Sequence, residues 1–321
     1  MSTTAVPTHA ADRPLLGIAL MLGFCTVIPF SDALAKLLGA TVPLLQLILV
    51  RYVAQAVLFW PAAAMTGARL FPTPRVFRLT ILRSVLQVCG IGMMFTALRI
   101  LPLADAVAIA FVMPFIMLLL GHFVAGEEVG PRRLAACAVG FCGTLMVVQP
   151  SFAEVGAPAL LPLGVALIFA LFMLVTRAVA RDVSPVALQA GSALTGLPIL
   201  LPLLLLDLPG DPPPLAWIAV DGQTAALLVA LGISGAVGHL LMTASLRFAP
   251  SATLAPMQYL EIPMATLIGW LIFRELPDGL AAAGIVLTIA AGLYIIARER
   301  AVSRAASRSP TAAAAPGRPA R

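Results

Sequence analysis

Ten apolar runs follow one another along this chain, each close to the length a helix needs to cross a bilayer, with short polar breaks between them. They lie at 15–37, 43–64, 78–98, 103–125, 131–149, 160–180, 186–206, 223–245, 251–273 and 279–298. The breaks carry helix-start chemistry. Pro43, Pro102, Pro131, Pro185 and Pro250 stand at or just before the starts, where a missing backbone N–H costs least. The pattern predicts an all-α integral membrane protein. Residues 1–13 form a polar N-terminal segment without a clear signal-peptide cleavage site. The longest break, 207–222, is rich in Pro and Asp, and 299–321 reads as a disordered tail of Ala, Arg, Ser and Pro without periodicity.

Composition agrees with that reading. Hydrophobic residues make up 61% of the 321 and charged residues 11%, well short of the charge a soluble domain keeps on its surface. The net charge of +6 is spread in ones and twos between the apolar runs, so it forms no phosphate-binding stripe and excludes a nucleic-acid partner. It does set an orientation. With the N-terminus inside, Arg13, Arg69, Arg75, Arg78, Arg132, Arg133, Arg177, Arg181, Arg247, Arg298, Arg300, Arg304 and Arg308 fall on the inner side, against Lys36, Arg99 and Arg274 outside. That positive-inside bias predicts a plasma-membrane protein with both termini cytoplasmic and an even number of spans. Cys25, Cys89, Cys137 and Cys142 all lie in apolar runs and are expected as buried thiols, with no metal site and no cofactor.

The chain also repeats itself. At an offset of 148 residues, Ala97-Leu98-Arg99-Ile100-Leu101-Pro102-Leu103-Ala104 aligns with Ser245-Leu246-Arg247-Phe248-Ala249-Pro250-Ser251-Ala252. The same offset pairs Gly90 with Gly238, Gly121 with Gly269 and Glu127 with Glu275. Leu16-Gly17-Ile18-Ala19-Leu20 matches Leu163-Gly164-Val165-Ala166-Leu167 at nearly the same offset. The expected units are 14–149 and 160–298, each with five spans. Five is odd, so the second copy enters the membrane from the opposite side. Inverted repeats of this kind are an architecture of secondary transporters, whose substrate sites lie between the copies near the midplane.

The five-plus-five organisation, with Glu127 after the fourth run and Glu275 after the ninth, resembles the drug/metabolite transporter superfamily, in particular its EamA-type members, over residues 14–298. The segment Phe30-Ser31-Asp32-Ala33-Leu34-Ala35-Lys36, followed by Arg51, resembles a subset that includes uptake carriers for riboflavin and S-adenosylmethionine; other relatives export amino acids and their analogues. The resemblance implies a cavity lined by helices 1, 3, 4, 6, 8 and 9, with helices 5 and 10 peripheral.

Charge inside a span is costly and therefore informative. The ten apolar residues around Arg51 supply roughly −3 to −6 kcal/mol of insertion energy against about +2.5 to +3.5 for one central arginine. Helix 2 therefore inserts with little margin, and Arg51 should face the bundle with a partner. By depth that partner is Asp32, with Lys36 one turn from Asp32 and near enough to the surface to snorkel. The pair is either a gate that meets substrate or a lock between helices 1 and 2. Glu261 lies mid-span between Tyr259 and Pro263, with Gln258 one turn before. It can carry a coupling proton, bind a cationic or hydrogen-bonding substrate, or support a proline-broken helix. Gln87 and Arg83 sit one turn apart, Arg83 being placed to snorkel inward. Asp105 is at the outer mouth, where it equally favours a helix N-terminus. His239 reads as a structural hydrogen-bonder and His122 as interfacial. Gln189, Ser192 and Thr195 trace one helix face. Pro114 and Pro263 are candidate hinges in corresponding helices. Small residues at four-residue spacing, Ala136/Gly140/Thr144 and Gly284/Thr288/Gly292, suit packing within each repeat or a homodimer contact.

These features favour a secondary carrier of a small organic metabolite. There is no phosphate-binding Gly-rich loop, and Lys36 is the sole lysine, which argues against ATP hydrolysis. No metalloprotease motif, aspartate cluster or Ser–His–Asp set supports an intramembrane enzyme, and no filter motif supports a channel. Phe24, Phe95, Phe111, Tyr259 and Trp270 can stack a vitamin such as riboflavin, with Tyr259, Gln258 and Gln87 bonding its polar edges. A zwitterionic amino acid would instead suit Arg51 and Glu261.

Overall fold

The structure is a computed structural model that describes residues 14–113, 115–116, 131–180, 182–206, 213–248 and 258–308. Among these, all regular structure is helical: α1 (Pro14–Gly39), α2 (Leu44–Met65), α3 (Pro74–Leu98), α4 (Leu103–Ala110), α5 (Pro131–Val155), α6 (Leu161–Val179), α7 (Pro185–Leu200), α8 (Gly222–Phe248), α9 (Glu261–Phe273) and α10 (Gly279–Arg308). Six stretches are long and apolar enough to cross a membrane: 15–39, 44–65, 74–98, 157–176, 185–205 and 222–245. Shorter apolar helices cover 138–148, 261–273 and 279–291.

Local chemistry sets the helix starts. Thr73 and Ser184 each precede a proline at the first helical position, and their hydroxyls accept from the N–H of Val76 (3.2 Å) and Ala187 (3.3 Å). Asp221 caps α8 by accepting from the Thr224 N–H at 2.8 Å, and hydrogen bonding from the Thr224 side chain and then its N–H holds this exposed carboxyl below the usual carboxylate range. Pro43 and Pro102 immediately precede α2 and α4, as the sequence predicts. Pro250 lies outside the described residues.

The bundle is turned inside out relative to a soluble protein. Val53, Val57, Trp60, Leu201, Leu205, Leu271 and Val286 are exposed on its flanks, while Ser31, Asp32, Arg51, Arg83, Gln87, Gln189 and His239 are buried. An apolar exterior around polar interior groups is what a hydrocarbon surrounding selects. The thiols divide likewise: Cys25 is buried, whereas Cys89 and Cys142 are exposed on the flank rather than buried as expected.

Packing follows a regular scheme. The most extensive pairs are α1 with α8, α5 with α10, α3 with α6 and α2 with α7; α2 with α8, α3 with α7, α1 with α9, α4 with α9 and α4 with α6 come next. Exchanging α1–α5 for α6–α10 in order maps each of these pairings onto another of the set or onto itself. Gly284, on the expected small-residue face of α10, packs across the halves of the chain rather than within its repeat, against Gly143, which lies beside Thr144 but off the expected Ala136/Gly140/Thr144 face of α5. A Cβ built on Gly143 of α5 would lie 2.8 Å from the Gly284 carbonyl oxygen of α10, and one on Gly284 would lie 2.5 Å from that of Gly143. Gly140 instead receives the ring of Phe115. Gly284→Val is therefore expected to cost about 1–3 kcal/mol through overpacking. A lower melting midpoint in detergent checks this, with Gly279→Ala as control because nothing lies within 4 Å of that position.

Candidate functional site

A cavity opens at the centre of the bundle, enclosing about 920 Å³ of empty space counting its open mouth. Its walls come from α1 (Phe24, Ile28, Asp32), α2 (Arg51), α3 (Leu86 to Phe95), α4 and the turn after it (Val107, Ala110, Phe111, Met113), α6 (Val165 to Phe172), α8 (His239) and the start of α9 (Gln258, Glu261). The expected set of lining helices holds, with α2 added through Arg51 alone.

Five of the six substrate or coupling candidates converge here: Asp32, Arg51, Gln87, Gln258 and Glu261. Tyr259 does not line the cavity. It is buried and packs against Phe111, with ring centroids 5.4 Å apart. Phe24, Phe95 and Phe111 line the cavity as expected, joined by Phe169 and Phe172. Trp270 instead sits on the outside of the bundle against the Arg274 guanidinium.

The helices are broken where they meet the cavity. α4 ends at Ala110, with a turn at Phe111–Val112; α9 starts at Glu261, after a turn at Tyr259–Leu260. These breaks stand in the same register under the 148-residue offset, and the Phe111–Tyr259 contact joins them. Glu261 therefore opens a helix rather than sitting in the middle of one. Pro263 explains the break: it has no N–H to offer the Tyr259 carbonyl, which instead accepts from the Ile262 N–H at 3.3 Å in a tighter turn. Pro263 thus occupies the first turn of α9 and kinks no continuous helix; Pro114, like His122 and Glu127, lies outside the described residues.

Arg51 is held differently from the sequence expectation. Asp32 and Arg51 interact electrostatically across the cavity wall but do not close to ion-pair distance. Nη1 of Arg51 donates to the Ser31 hydroxyl at 3.2 Å, and the guanidinium carbon lies 5.3 Å from the centre of the Phe95 ring. Its flat face rests on Gly235 of α8, where an added Cβ would stand 2.6 Å from both Nε and Cζ.

Arg83 does not snorkel. It is fully buried, with Nε donating to Thr176 Oγ1 at 3.0 Å, Nη2 to Gln189 Oε1 at 3.4 Å and Nη1 to Ser192 Oγ. Phe172 stacks over it at 4.6 Å. Gln55 donates to the Gln189 carbonyl (2.8 Å), and Ser84 meets Thr195 (2.7 Å). The polar face of α7 is thus a set of acceptors tying α2 and α3 to α7. His239 does line the cavity, where its buried Nδ1 has no partner among the described residues.

The remaining candidates cluster beyond the cavity, at the end of the bundle where α1 finishes. Lys36 pairs with Glu275 rather than with Asp32: its ammonium donates to both Glu275 carboxylate oxygens (2.8 and 2.7 Å) and to the Leu101 carbonyl (2.7 Å). Asp105 accepts from the Ser151 hydroxyl at 3.1 Å. Arg274, with φ of 61°, ends α9 in the left-handed conformation and turns the chain into Glu275.

The EamA-like transporter family matches this chain twice, over residues 15–149 and 157–298. Among relatives, a riboflavin transporter of Rhizobium johnstonii is 31% identical over 68% of this chain and 69% of its own length. A riboflavin transporter of Vibrio cholerae is 28% identical over 87% and 93%. An S-adenosylmethionine uptake transporter of Rickettsia prowazekii is 24% identical over 89% and 94%. A solved crystal structure shares the fold, with a TM-score of 0.62 at 20% identity, covering 88% of this chain and 98% of that one.

Proposed function

The chain belongs to the EamA-like transporter family, and on that premise we propose that it is a secondary carrier that takes up a flat, vitamin-sized metabolite such as riboflavin. The observation that carries this reading is the cavity. Phe24, Phe95, Phe111, Phe169 and Phe172 give its wall an aromatic surface suited to a flat ring, and Arg51, Gln87 and Gln258 stand among them as hydrogen-bonding groups. Relatives named as riboflavin transporters support the same substrate.

In this reading the ten helices form two inverted five-helix repeats in a bacterial plasma membrane, with both termini cytoplasmic. The exchange symmetry of the helix pairings and the two family matches support the repeats; the arginine distribution supports the orientation. Alternating access then works through the paired breaks in α4 and α9, and the Lys36–Glu275 pair closes the outer end. Broken helices at a central site are a recurring device of carriers.

One observation favours a second substrate class. Asp32 and Glu261 face the cavity with Arg51, two carboxyls against one guanidinium. The excess negative charge suits a coupling proton or a cationic substrate, and some relatives are named for S-adenosylmethionine uptake.

The test is growth of a riboflavin-auxotrophic bacterium on limiting riboflavin. Wild type is expected to rescue, and Arg51→Ala and Glu261→Ala are expected to fail at matched membrane levels. Failure of well-expressed wild type counts against vitamin uptake and turns the search to S-adenosylmethionine uptake and to export of amino-acid analogues.

A further inference from the structure

We infer that Arg51 and Gln87 form a complementary donor–acceptor set that reads an imide edge, a ring N–H flanked by carbonyls, on the carried molecule. The inference rests on the vitamin reading above and narrows it to one part of the substrate.

Arg51 is 5% exposed and, among the described residues, makes one hydrogen bond, to Ser31. A guanidinium has five N–H donors and no acceptor. One face rests on the bare α-carbon of Gly235, and the Phe95 ring centre lies 5.3 Å from the guanidinium carbon. Contacts with an aromatic face and with backbone steer a flat cation without using its donors. The remaining N–H groups lie in its plane, and Arg51 lines the cavity.

Gln87 supplies the opposite chemistry. It is 4% exposed, lines the same cavity, and its Oε1 is buried without a hydrogen-bond partner among the described residues. A buried acceptor left unpaired costs free energy in the empty protein, and a ligand N–H recovers it. A carboxylate substrate would use Arg51 but repel the Gln87 oxygen, and a purely hydrocarbon ring would use neither. A neutral ring bearing carbonyl, N–H and carbonyl in sequence uses both. The isoalloxazine ring of riboflavin carries such an edge at N3, and the phenylalanine walls stack on its faces.

The experiment compares riboflavin with N3-methylriboflavin, which keeps the ring and the ribityl chain but has no imide N–H. Radiolabelled riboflavin uptake is measured in cells expressing the full chain, with each unlabelled compound as competitor. In wild type, the methylated compound is expected to compete at least about tenfold more weakly, the cost of one unpaired buried acceptor plus the steric methyl. In Gln87→Leu that discrimination should shrink to about threefold or less. Equal competition by the two compounds in a riboflavin-transporting wild type overturns this inference and leaves the vitamin reading standing. Absence of any riboflavin uptake by well-expressed wild type overturns both. Because the decisive comparison is made in the wild type, it does not depend on whether the variant folds.

Discussion

Arg51→Lys is expected to insert, fold and melt much as the wild type does, and yet to lose about thirtyfold or more of its substrate uptake. Lysine keeps the positive charge, so the balance with Asp32 and Glu261 at the cavity is preserved, and so is the insertion cost of helix α2. What it loses is the plate. The guanidinium lies against the Phe95 ring and the α-carbon of Gly235, and Arg51 lines the cavity. An ammonium is a compact, strongly hydrated point charge without that fork. Losing one charge-assisted hydrogen bond of about 2 kcal/mol corresponds to roughly thirtyfold. The measurement is initial uptake at matched membrane expression, alongside a melting curve in detergent. A lysine variant that transports normally would reduce Arg51 to a charge. Loss of both melting and uptake would make it the lock between α1 and α2.

Periodicity and charge place residues by depth, whereas partnership depends on which helices become neighbours. Depth was legible. The apolar runs place Asp32, Arg51, Gln87, Gln258 and Glu261 inside the bilayer, and all five line one cavity. Partnership was not. Lys36 is one turn from Asp32 along α1, but its counter-charge is Glu275, 239 residues away, brought in by the packing of α9 against α1. Arg83 looked like a snorkelling residue because an isolated helix gives it no acceptors; the face of α7 carrying Gln189 and Ser192 provides them. Gly235 carries no chemistry of its own, so a reading of motifs passes over it. Its role appears only when the Arg51 side chain is seen lying on it. The duplication was the strongest long-range signal, because it relates Phe111 to Tyr259 without any knowledge of packing, and those two rings touch.

Glu275→Gln is expected to make the cavity easier to reach from the outer face while slowing turnover. Lys36 lies one turn beyond Asp32 on α1, so its ion pair stands between the cavity and that end of the bundle. The pair is partly sheltered, with side-chain exposures of 13% and 33%, and the Phe273 ring lies 5.1 Å from the ammonium. Removing the carboxylate charge leaves Lys36 with the Leu101 carbonyl and a neutral amide. After discounting for the partial exposure of Glu275, the loss comes to about 1–2 kcal/mol. A bias of that size shifts the balance between closed and open states by about fivefold to thirtyfold. The readout is a single cysteine at Ile28 on the cavity wall, in a background lacking the four native cysteines, labelled by a membrane-impermeant thiol reagent added outside. Labelling should accelerate about fivefold or more in Glu275→Gln and return toward the wild-type rate in the charge-exchanged Lys36→Glu/Glu275→Lys protein. Unchanged labelling with reduced transport would make the pair a structural tie instead of a gate. Labelling reached only from the inner face would reverse the orientation proposed from the arginines.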